Sequence, residues 1–69
     1  MKNFNEFKKI VLLSDKYNEI GQKAVDKANE LTKNEQFETS SDEILFHQRA
    51  VMQHMIMYTL EEYHKWLNE

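Results

Sequence analysis

The stretch that decides the fold is Ile44-Leu45-Phe46-His47-Gln48-Arg49-Ala50-Val51-Met52-Gln53-His54-Met55-Ile56-Met57-Tyr58-Thr59-Leu60. Wound at 100° per residue, it is apolar over most of its circumference. Together with Tyr63, Trp66 and Leu67, the residues Ile44, Leu45, Val51, Met52, Met55, Ile56 and Leu60 form one broad arc. Phe46, Ala50 and Met57 fall on the opposite side. A helix patterned in this way needs cover on more than one side. Its start is marked as well. Ser40 is placed to cap it, with Glu43 three residues on in the capping-box position and Ser41 as the neighbouring candidate. The reading predicts a helix over about 41–67.

Upstream, a second periodic segment covers about 3–33. Phe7, Ile10, Leu13, Tyr17, Ile20, Ala24, Ala28 and Leu31 recur at steps of three and four and share one face. Val11 lies just beyond that face, and Gly21 lies close to it. An interior glycine costs a helix about 1 kcal/mol relative to alanine, so Gly21 marks either a bend or a close helix contact. Between the two segments runs a polar connection at about 34–40, short enough for an antiparallel hairpin.

These elements place the whole chain, 1–69, in one all-α domain. The expected architecture is an antiparallel helical hairpin that pairs into a homodimeric four-helix bundle, because the second helix has more apolar circumference than one neighbour shields. The alternative is a monomeric three-helix bundle in which the first segment breaks near Ser14-Asp15 or at Gly21.

Composition narrows the function. The chain has 69 residues, no Cys, no Pro and one Gly, and a formal charge of −3. No disulfide framework or thiolate chemistry is available. The charge excludes a strongly basic nucleic-acid module. The apolar run Ile10–Leu13 is too short for a signal-peptide core, and no run approaches a membrane span, so a cytoplasmic protein without a membrane partner is expected. Glycine-rich phosphate loops and nucleophile–base–orienter sets are absent, so no enzyme and no cofactor are expected.

Charge is nonetheless distributed unevenly. Residues 1–33 carry a balance of +2 and residues 34–69 a balance of −5. Lys2, Lys9, Lys16 and Lys23 recur every seven residues, and Lys27 joins their stripe. Such a row suits a phosphate backbone. A solvated flank with its own counter-charges explains it equally well, since Asp15, Glu19, Asp26 and Glu30 run alongside.

His47, His54 and His64 are the three histidines. Glu61 and His64 have the E-x-x-H spacing found in some bundle metal sites, but the first helix keeps its acids off its apolar face. No metal site is expected, and the histidines read as turn-stabilising partners of Glu43 and Glu61.

Met52, Met55 and Met57 cluster near Phe46. Methionine-rich helical surfaces adapt to partners, although methionine also fills irregular cores. With Tyr63 and Trp66 as aromatic anchors, these residues are the candidate protein-binding surface. The leading functional expectation is a small non-catalytic regulator or adaptor that binds another protein. The alternative is a nucleic-acid-binding helical dimer that uses the lysine stripe.

Overall fold

The computed structural model describes residues 2–69 and is entirely helical in its regular structure. α1 (Phe4–Phe7) runs on into a π-helical segment, Lys8–Leu12. α2 spans Asp15–Lys33 and α3 spans Ser40–Leu67. The described chain is an elongated body of 50 × 19 × 14 Å.

The first segment is therefore two pieces and not one helix over 3–33. Its break falls at Leu13-Ser14, one of the two positions at which the three-helix alternative would divide it. Ser14 makes the break. Its backbone is extended, and its Oγ accepts from Lys16 N at 3.3 Å, which caps α2. The same hydroxyl donates to the carbonyls of Ile10 and Val11, at 2.5 and 3.0 Å, and closes off the preceding turn. Just upstream, Leu13 N donates to Lys8 O at 2.8 Å, an i→i+5 bond that defines the π turn. That wider turn rotates the buried face. Val11 goes inward at 2% exposure, and Ile10 and Leu13 turn outward.

α2 and α3 form the antiparallel hairpin expected from the short connection. Their register is set by His47 Nε2 donating to Asn29 Oδ1 at 2.7 Å near one end and by Lys16 pairing with Glu62 near the other. Ala24, Ala28 and Ala50 are buried, and a Cβ on Gly21 would stand 4.0 Å from Met55 Cε. α2 passes through Gly21 as unbroken helix. Small side chains let the two axes approach, so α3 meets α2 through its Ala50 side.

α1 and the π segment cover one end of the hairpin. Phe7 and Val11 bury with Ile20 and Trp66, and Leu12, Tyr58 and Tyr63 pack around them. Phe7 stacks edge-on to Tyr63 at 5.0 Å and lies 5.5 Å from Trp66. Burial of aromatic rings of this size dominates the energy of a small core. Lys2 completes the lid. Its ammonium donates to Trp66 O and lies 5.2 Å from the Trp66 ring centroid.

Two expectations are overturned here. The homodimeric four-helix bundle does not describe this chain, which has three α-helices among its described residues and folds its own N-terminal segment onto the end of the hairpin. The physical reason is the Ser14 cap, which frees Phe7 and Val11 to shield Trp66 and Tyr63 without a second copy. The start of α3 is also displaced. Thr39, not Ser40 or Ser41, is the N-cap, with Oγ1 accepting from Asp42 N at 3.1 Å.

Candidate functional site

α3 presents most of its large aliphatic residues to solvent. Met52 is 64% exposed, and Ile56 and Leu60 are each 59% exposed. Ile44, Leu45, Met57 and Leu67 are also exposed. Single exposed apolar residues are ordinary, whereas a contiguous row on one helix marks a contact surface. The row follows from the choice of packing side. Because Ala50 turns toward α2, with Val51, His54 and Tyr58 half-buried beside it, the residues a quarter to a half turn away must face out.

The predicted interface residues are thereby divided. Met52 and Met57 are exposed, and Met55 is half-buried near Gly21. Phe46 is half-buried because Phe37, from the connection, covers it with ring centroids 5.2 Å apart. Tyr63 and Trp66 belong to the plug at the end of the hairpin, with Trp66 buried and Tyr63 half-buried. Ile44, Leu45, Ile56, Leu60 and Leu67, members of the broad apolar arc, stand outward. The spacing of Ala24, Ala28 and Ala50 is the signal that would have shown this.

Two hollows flank Leu60. One, of about 220 Å³, is lined by Tyr17, Met55, Ile56, Thr59 and Leu60. The other, of about 470 Å³, is lined by Met57, Leu60, Glu61, His64 and Lys65. A third, of about 580 Å³, lies between the end of α2 and the start of α3, beside Asn29, Thr32, Glu43, Ile44 and His47.

The lysine stripe divides by partner. Lys16 Nζ lies 3.0 Å from Glu62 Oε2, and this contact raises the lysine pKa and lowers that of the carboxyl, first through the hydrogen bond and then through charge. Lys23 lies over the Tyr58 ring at 4.4 Å, and Lys2 lies over Trp66. Lys27 sits 3.7 Å from Glu30. Lys9 forms no ion pair among the described residues. Lys2, Lys16 and Lys23 thus line up along the 58–66 stretch of α3, where Lys65 also approaches Glu62 at 3.7 Å.

The histidines take different partners from those expected. His47 pairs across the hairpin with Asn29, and His54 Nδ1 donates to Ala50 O at 2.7 Å. Asn68 caps the end of α3, with Nδ2 donating to His64 O at 2.8 Å. No group of three or more His, Cys, Asp or Glu among the described residues is placed to hold a metal ion. No helix among them is long and apolar enough to cross a membrane.

Comparison with known proteins returned no matching family model, no matching curated protein and no matching solved structure.

Proposed function

We propose that this chain is a small helical module that binds another protein through the outward face of α3. The observation behind this reading is the row Met52, Ile56 and Leu60, each more than half exposed and continued by Leu45 and Leu67. Leaving such a row in water forgoes about 25 cal/mol for each Å² of apolar surface, and a partner recovers that free energy. The hollows on either side of Leu60 give the face relief, which a docking side chain needs.

A nucleic-acid partner is the second reading. Its support is the row of ammonium groups, Lys2, Lys16, Lys23 and Lys65, beside the last turns of α3, with Glu62 as the carboxylate paired among them. A lysine lying over an aromatic ring keeps its charge and one open side.

One experiment separates the two. Ile56→Asp/Leu60→Asp and Lys16→Glu/Lys23→Glu variants are compared with the parent in affinity capture, with and without nuclease. Loss of the captured protein only in the Asp variant supports the first reading. Nuclease-sensitive capture lost only in the Glu variant overturns it in favour of the second. Far-UV circular dichroism confirms that each variant stays helical.

A further inference from the structure

The outward face of α3 has a vacancy of definite shape. Phe4–Leu12 covers one end of the hairpin only, with aromatic contacts to α3 at Tyr63 and Trp66. At 1.5 Å per residue this segment is about 14 Å long, set against a body extending 50 Å. The trough lined by Tyr17, Met55, Ile56, Thr59 and Leu60 opens immediately beyond those contacts, toward the N-terminal end of α3. In a complete three-helix bundle, a third helix would run on through it.

Charge then limits what fits. Between Ile44 and Leu60 the one charged residue is Arg49. It is exposed and forms no ion pair among the described residues. The carboxylates of α3, Asp42, Glu43, Glu61 and Glu62, lie near its two ends. A helix laid against the middle of α3 therefore meets a lone guanidinium set among apolar side chains. Carboxylates in the middle turns of such a helix gain a charge-assisted contact with Arg49, whereas ammonium groups at the same place are repelled by it.

Building on the protein-binding reading, we infer that α3 accepts an amphipathic helix of another protein in the vacant third-helix position. This helix seats apolar residues at three- and four-residue spacing against Ile56 and Leu60, and it carries acidic residues in its central turns over Arg49. Recognition is by helix-in-groove packing, with the charge setting selectivity more than affinity.

The test uses the full chain and two designed 18-residue helical peptides. They share leucines at helical spacing and differ only in their central turns, Glu in one and Lys in the other. Fluorescence anisotropy at low salt is expected to show the Glu peptide binding about tenfold tighter than the Lys peptide, with the difference shrinking as salt rises. Arg49→Glu is expected to reverse the order, and Ile56→Asp/Leu60→Asp to abolish both. Equal affinities that Ile56→Asp/Leu60→Asp still abolishes would overturn the acidic partner and leave the binding face standing. Binding untouched by the Asp pair would overturn both. Self-association of the chain that buries Ile56 and excludes both peptides would overturn the foreign helix.

Discussion

Lys16 Nζ lies 3.0 Å from Glu62 Oε2 and ties the first turn of α2 to the last turns of α3. The pair is partly solvated, so its worth is that of a surface ion pair, about 0.5 kcal/mol. Glu62 has a folded-state pKa below its ordinary 4.5, so its contribution is present above that value and is lost as pH falls through the folded pKa. Lys16 is raised above 10.5, so its contribution is present below that value and is lost as pH rises through the folded pKa. Urea denaturation of the parent and Glu62→Gln should therefore differ near pH 7 and converge in acid. A difference that does not shrink as pH falls through the acid range would contradict the assignment.

Phe7 closes the end of the core at 1% exposure. Phe7→Ala should cost about 3 kcal/mol and release the N-terminal segment. Trp66 is the only tryptophan, so its emission reports the release directly. A red shift is expected with most helicity retained, and Phe7→Leu should shift the emission much less. An unchanged Trp66 spectrum in Phe7→Ala would show that the lid is not seated there.

Gly21 has room for a methyl group, since the nearest side-chain atom to a built Cβ is Met55 Cε at 4.0 Å. No positive φ occurs at it. Gly21→Ala should therefore stabilise the protein by about 0.5–1 kcal/mol through helix propensity and a less flexible unfolded chain. Chemical denaturation measures this, and destabilisation would mean that α2 and α3 pack more closely than described.

Thr39 and Ser14 each cap a helix through one side-chain oxygen. Replacing either with alanine should cost about 1 kcal/mol. Ser40→Ala and Ser41→Ala should cost far less, because neither hydroxyl serves as the cap. Thermal melts of the four single variants give the ranking directly.

Much of the architecture could be read in the periodicity. The all-helical class and the antiparallel hairpin follow from the three-and-four spacing of Ile20, Ala24 and Ala28 and from the apolar wealth of 44–60. The break at Ser14 was harder to read because the apolar pattern runs straight through it, from Ile10 to Leu13 to Tyr17. A single serine cap, together with the burial gained by Phe7 and Val11, outweighs that continuity. The packing side of α3 is hard to read for a related reason. Counting apolar residues favours the face with Ile56 and Leu60, but interaxial distance is set by the smallest residues, and Ala50 meets the alanine-lined side of α2. The same choice turns Met52, Ile56 and Leu60 into a surface. Arg49 stood out little in the sequence, and its isolation within the apolar stretch became informative only once that face was outside.

The most direct measurement is thiol accessibility in this cysteine-free chain. Single-cysteine variants Ile56→Cys and Ala24→Cys are labelled under native conditions with a small thiol reagent. Ile56→Cys should react nearly as fast as in the unfolded chain, and Ala24→Cys should be protected by orders of magnitude. Protection of Ile56→Cys in the isolated protein would place that face in the core and contradict the account.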